Sequence, residues 1–261
     1  MVQVFDNSLR KLKQKFGLRA NKPLPHFLVI GTQKGGTTSL HKLLSQHPDV
    51  FLPECKEVHY FSLHADKPIS WYAEQFNSAK PGQHRGEVCP YYLFHPEAPQ
   101  RIKKVLPKVR LIALLRDPVE RTLSQYFHAR RHGFEELELE AALAAEPQRL
   151  ASGDPYSLQK HSYLSRSCYL EQLCRYKALF PSRQLMVLRS EDLFQETQNI
   201  WEQIQSFLGI RQCPLPAPLT KANAGKGEAT SVNQAIRGRL RRELASTAAG
   251  VKKLYGFDWG W

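Results

Sequence analysis

A short apolar run at 27–30 (FLVI) leads directly into Gly31-Thr32-Gln33-Lys34-Gly35-Gly36-Thr37-Thr38-Ser39, and a helical pattern follows at once. This junction constrains the fold more than any other stretch of the chain. Four consecutive apolar residues read as a strand buried on both faces of a parallel sheet. Leu40, Leu43 and Leu44 then fall on one helical stripe, and the helix must stop near His47-Pro48 because proline cannot continue it. Glycines in the turn let backbone approach a phosphate, while the helix start offers unpaired N–H groups and the positive end of its dipole. Lys34 and the hydroxyls of Thr37, Thr38 and Ser39 add donors. A Walker A loop carries its lysine immediately before the Ser/Thr. Here Lys34 precedes Gly35 and Gly36, and hydroxyls follow them, so the loop is P-loop-like but of a different make.

Two further runs, Arg110–Leu115 (RLIALL) and 184–188 (QLMVL), repeat the rhythm of buried strand, polar turn and helix. Asp117-Pro118 supplies an N-cap and a first-turn proline for a helix running to His132. Other helices are expected at 134–146, 162–179, 196–208 and 231–250, and a short strand at 86–88. The expected fold is α/β: an open, mainly parallel sheet flanked by helices on both faces. Nothing in 23–261 splits that stretch, so it reads as one domain behind a basic arm at 1–22.

The formal net charge is +13 and sits mostly near the two ends. Residues 1–22 hold six Lys/Arg against Asp6, and 221–253 hold eight against Glu228 and Glu243. Such a balance suits anionic partners: nucleotide phosphates, an acidic polysaccharide or a membrane surface. Leu9, Leu12 and Phe16 give the arm one apolar stripe, so peripheral membrane contact weighs evenly against a solvated basic face. No run approaches the roughly 20 apolar residues that span a bilayer, and no apolar run follows the basic start as in a secretory signal. The expected location is therefore cytoplasmic, with a membrane surface as the alternative. Five cysteines without a CxxC pair read as free thiols. Cys55 and His59, four apart, lack two further ligands, so no metal is expected.

A second turn rich in phosphate chemistry follows the second strand. In Leu115-Arg116-Asp117-Pro118-x-x-Arg121-x-x-Ser124, Arg116 ends a strand and can fork onto a phosphate. Ser124 lies in the following helix with Asp117, Arg121 and Gln125 at spacings of one helical face. The chain now resembles the PAPS-dependent sulfotransferases, especially the branch of heparan sulfate sulfotransferases and their bacterial relatives (PAPS is 3′-phosphoadenosine 5′-phosphosulfate). The likeness runs from Pro25 to Trp261. It includes Glu57-Val58-His59-Tyr60-Phe61, Ser70-Trp71-Tyr72, Gly86-Glu87-Val88 and the closing Gly256-Phe257-Asp258-Trp259.

The resemblance implies transfer of a sulfuryl group from PAPS to an acceptor hydroxyl, with PAP as product, no metal, no nucleic acid partner, and a sugar as the favoured acceptor. It implies that Lys34, Gly35, Gly36, Thr37, Thr38 and Ser39 hold the 5′-phosphosulfate. Arg116 and Ser124 hold the 3′-phosphate, and the late loop with Lys226 and Gly227 closes over that side. Lys34 then lies against the bond that breaks, where a cation steadies charge on the leaving oxygen. Glu57 is the first candidate for general base and His59 the second. If the segment is extended, the two face one side, and Lys56 beside them reads as a solvated lysine. Trp71, Tyr91 and Tyr92 read first as core and second as rings for stacking on sugar. One departure stands out: Val88 follows Glu87 where heparan sulfate enzymes often carry lysine, so acceptor details do not carry over.

Two other classes compete. An ATP-dependent small-molecule kinase would need a true Walker lysine and a metal-holding acid at a later strand end. A non-catalytic nucleotide or acidic-glycan binder would not need Lys34 and Glu57 together with the Arg116–Ser124 pair.

Overall fold

The expected strands at 27–30, 86–88, 110–115 and 184–188 are all members of one five-stranded parallel sheet. The computed structural model describes residues 23–216, 219 and 227–261. Along the chain run β1 (Phe27–Gly31), α1 (Thr37–Ser45), β2 (Val50–Phe51), α2 (Ile69–Glu74), β3 (His84–Val88), α3 (Tyr91–Phe94), α4 (Ala98–Val105) and β4 (Arg110–Leu115). Then come α5 (Pro118–Arg131), α6 (Leu139–Ala151), α7 (Pro155–Lys160), α8 (Tyr169–Lys177), β5 (Leu185–Arg189), α9 (Ser190–Gln195), α10 (Thr197–Leu208) and α11 (Gln234–Tyr255). The strand order is β2-β3-β1-β4-β5.

Both faces of the sheet are covered, which explains why the central strands are apolar throughout. Leu28, Ile30, Leu111, Ala113 and Leu115 pack with Tyr92 of α3, Ile102 of α4 and Leu173 of α8. The alternate residues Phe27, Val29, Ile112 and Leu114 pack with Leu40 and Leu44 of α1 and with Trp201 and Ile204 of α10. A third cluster joins α5, α6 and α11 through Leu123, Leu143, Leu240 and Leu244. Because β1 and β4 are parallel neighbours with Gly31 paired to Ala113, their following turns share one end of the sheet. In open α/β sheets, ligands bind at that end.

Local chemistry moved several boundaries. The helix expected at 134–146 begins at Leu139 because the buried Glu135 carboxylate accepts from the backbone N–H of Glu136 and Leu137, holding those residues in a turn. The helix expected at 162–179 is broken. A 3-10 turn at Ser165–Ser167 precedes α8, and the Ser167 hydroxyl is occupied by Arg121 and Thr122 of α5. The last helix starts at Gln234 rather than 231, where Asn233 accepts from the N–H of Ile236. The two-residue strand β2 and the short helices α2, α3, α4, α7 and α9 lack a long periodic signal and were not foreseen. The arm at 1–22 and Lys226 lie outside the described residues.

Candidate active site

The turn between β1 and α1 is held tightly. Thr32 donates from its N–H to the carbonyl of Leu114 (2.8 Å), and Gly35 donates back to Thr32 (3.0 Å). A side chain at Gly35 would lie 2.6 Å from the Leu114 carbonyl oxygen, so only glycine fits. Gly36 has φ +92° and is the N-cap of α1, with no side-chain hydrogen bond capping the helix. The arrangement meets the requirement for a phosphate cradle. Lys34 sits on it with φ +70°. Burial, then the charges of Arg131, Arg116 and Arg121, lower the Lys34 ammonium from its ordinary 10.5 to about 8. A cationic cluster of this kind favours an anion among its members.

Arg116 leaves β4 beside this loop and donates from Nη1 to the Lys34 carbonyl at 3.3 Å. It has no carboxylate ion-pair partner among the described residues. Asp117 caps α5 as its sequence implies, accepting from Val119 (2.8 Å) and Glu120 (3.0 Å), with Pro118 in the first turn. Ser124 lies half-buried one turn beyond Arg121. Gly227, in a left-handed turn, begins the segment that returns to α5. Glu228 pairs there with Arg131 at 2.7 Å, and Arg237 pairs with Glu120.

Glu57 and His59 come together, but not through an extended strand. Both are left-handed, with φ of 65° and 60°, and the chain coils so that His59 Nε2 lies 3.6 Å from Glu57 Oε2. Lys56 is not a solvated bystander: its ammonium pairs with Glu57 Oε1 at 2.5 Å. Burial pushes the Glu57 carboxyl up, but contacts to His59 and Lys56 outweigh it and hold it down to about 2. His59 Nδ1 faces the Ser62 hydroxyl at 3.1 Å and the buried Cys89 thiol at 3.4 Å. Arg101 steadies the segment from outside, reaching the carbonyls of Phe61 and Ser62 (each 3.3 Å).

Sequence reasoning left Glu87 without a role. It is 1% exposed and accepts from the hydroxyls of Tyr72 (2.6 Å) and Tyr92 (2.8 Å). The Phe61 N–H in turn donates to the Tyr92 oxygen. This buried carboxylate therefore anchors the loop that carries Glu57, and Tyr92 is core. Trp71 packs beside Tyr60 and His64 in the same cluster. Tyr91 is the ring that reaches the site. It meets His59 edge-on, with the Arg166 guanidinium 4.7 Å above its face.

Glu57, His59, Tyr91, Gln33, Gln125 and His128 line a common cavity of about 240 Å³. Arg166 also lines it and donates to the Gln33 side chain, one residue before Lys34. Burial and then the Lys34 charge lower the His128 imidazole, to about 4, which puts the lysine within electrostatic reach of the cavity. His128 and Arg166 belong to no motif, and only the fold brings them to the loop that carries Gln33.

Fold and loop together define a parallel α/β protein with a glycine-rich strand–loop–helix turn at the ligand-binding end of its sheet. Residues 24–226 match the model of the sulfotransferase domain family, and the chain belongs to that family. It is 31% identical over 199 residues to the human heparan sulfate glucosamine 3-O-sulfotransferase 3B1, covering 76% of this chain and 49% of that one. It is 28% identical to the membrane-associated sulfotransferase kil1 of Dictyostelium discoideum, over 72% of this chain and 56% of the relative. The chain thus spans about half the length of these curated relatives. A solved sulfotransferase from Alicyclobacillus acidocaldarius superposes with a TM-score of 0.76 at 26% identity, covering 90% of this chain and 96% of that one.

Proposed function

We propose that this chain transfers the sulfuryl group of PAPS to a hydroxyl of a carbohydrate acceptor, releasing PAP. One observation carries the reading. Lys34, Glu57 and His59 are the non-glycine residues with positive φ among the described residues. Residues held in sparsely populated backbone regions cluster at functional sites, and these three come from two distant loops. The glycine cradle, the Lys34 cluster and the fork of Arg116 fit a nucleotide carrying phosphates at both 5′ and 3′ positions. Bound there, the nucleotide would supply an activated sulfuryl group. The heparan sulfate relative supports a sugar acceptor.

In this reading the acceptor oxygen attacks sulfur as the bond from sulfur to the bridging phosphate oxygen breaks, in line, as in phosphoryl transfer. Lys34 steadies the charge growing on that bridging oxygen, which is worth more in the transition state than in the ground state. Glu57 takes the acceptor proton. A carboxyl at about 2 is a weak base, but a filled site strengthens it. The negative nucleotide and the loss of water both push a carboxyl upward. His59 orients Glu57 across their 3.6 Å contact. Arg116 and Ser124 hold the 3′-phosphate, with Lys226 and Gly227 as further candidates for that side.

Thermal unfolding with PAP, ADP and Mg-ATP tests the nucleotide reading, and radiosulfate transfer from PAPS onto a glycan panel tests the reaction. Stabilisation by PAP without magnesium, exceeding that by ADP, is expected, together with labelled glycan. Stabilisation by Mg-ATP alone, with no transfer of label, would overturn the reading in favour of a kinase.

A further inference from the structure

Gln125 follows Ser124 on α5 and lines the same cavity as Glu57 and His59. The residue is 3% exposed, and its amide oxygen Oε1 is buried without a hydrogen-bond partner. A buried polar atom left unpaired is costly, and its neighbours on the inner side of α5, Leu123 and Tyr126, show that apolar and aromatic side chains suit this helix. The contrast with Gln33 sharpens the point. Gln33 also lines the cavity, yet Arg166 already donates to its amide oxygen. Gln125 has no such restraint, although it shares the cavity with the candidate base.

We infer that Gln125 is a specificity-determining residue that hydrogen-bonds a second hydroxyl of the acceptor, on the same ring as the one sulfated. This inference rests on the sulfotransferase reading above. A hydroxyl both donates and accepts, so it satisfies the amide whichever of its two ends is presented. Sites built to bond a substrate hydroxyl discriminate strongly against analogues lacking it, because the site's polar group is then left unpaired. The acceptor class is therefore a polyhydroxylated ring rather than a simple alcohol. Glu57 and Gln125 both line this one cavity of about 240 Å³.

The test compares radiosulfate transfer from PAPS to myo-inositol and to cyclohexanol, which share a carbocycle and differ in hydroxyls. Wild-type protein should favour myo-inositol in kcat/KM by at least roughly tenfold, about 1.4 kcal/mol. Gln125→Leu and Gln125→Met should each collapse that ratio, while stabilisation by PAP shows that each variant is folded. An unchanged ratio in both variants would sink the proposal. So would equal use of the two alcohols by the wild type, or no use of myo-inositol. The sulfotransferase reading survives those failures if PAP stabilises the wild type and the glycan panel is labelled, and falls with them if neither occurs.

Discussion

Arg116 and Lys34 stand 82 residues apart in the chain, yet the guanidinium Nη1 of the first donates to the backbone carbonyl of the second at 3.3 Å. The bond ties the turn after β4 to the turn after β1, at the left-handed residue whose side chain lies in the cationic cluster. One arginine thus braces the 5′ side of the proposed nucleotide site from a place suited to gripping its 3′ side. Arginine meets such a double demand through the several donors of a planar fork, which lysine lacks.

Arg116→Ala should therefore weaken PAP far more than ADP, because only PAP carries the 3′-phosphate. Loss of a charged hydrogen-bonding partner costs about 1.5–3 kcal/mol, or one to two decades in affinity. Arg116→Lys should recover charge but not the fork and fall between. Calorimetric titration of both nucleotides checks this, and equal losses for PAP and ADP would reduce Arg116 to a brace for the loop.

For Lys34 the expected signature is kinetic. Lys34→Ala should lower kcat by roughly two to three decades, the scale of removing one oxyanion donor, with a smaller loss of PAP affinity. The pH dependence adds a signed test. If protonated Lys34 is required, kcat/KM for PAPS falls as pH rises through about 8, since this parameter reports the free enzyme. In kcat the same limb should lie higher, because bound phosphate raises the lysine. A limb at one pH in both profiles would remove Lys34 from the assignment.

How much of this was legible in the sequence depended on how local each signal is. The strand–loop–helix of 27–45 and the capped turn at Asp117-Pro118 are contiguous, so periodicity and capping chemistry revealed them. Glu57 and His59 were found as a pair, but their meeting was derived from an extended strand, and two left-handed residues bring it about instead. Backbone of that kind in non-glycine residues leaves no sequence trace. Lys56 was misjudged for a related reason: its partner is its neighbour Glu57, and only the coiled segment turns them together. Gln33, Gln125 with His128, and Arg166 come from three stretches, and their convergence is tertiary.

Glu87 illustrates the same gap and gives a stability prediction. Burial raises its carboxyl from 4.5 to about 7, against the pull of the two tyrosine hydroxyls. A carboxyl raised in the folded state favours folding most below its unfolded value, and that advantage is lost as pH climbs through about 7. Melting temperature should therefore decline between about pH 4.5 and 7 on account of this group, and Glu87→Gln should flatten the decline. Glu87→Ala should destabilise at every pH by about 2–5 kcal/mol, since two buried hydroxyls lose their acceptor. An unchanged slope in Glu87→Gln would place the titration elsewhere.

The sharpest test sets Glu57 against His59. Glu57→Gln keeps the shape but cannot take a proton, and should lower transfer by roughly two to four decades while PAP still binds. His59→Asn should cost less, since its proposed part is to orient Glu57 from 3.6 Å. Lys56→Ala adds a third arm. Removing the 2.5 Å pair partner lets the Glu57 carboxyl rise from about 2, which makes it a stronger base. An acid limb in kcat/KM that moves upward in Lys56→Ala would then tie that limb to the group or groups facing Lys56. His59→Asn should move the same limb, because His59 also holds the carboxyl down. The pH profile alone cannot separate a carboxylate raised by occupancy of the site from an imidazole, so the substitutions decide. Near-normal kcat in Glu57→Gln beside an inactive His59→Asn would transfer the role of base to the histidine and leave Glu57 as its orienting carboxylate.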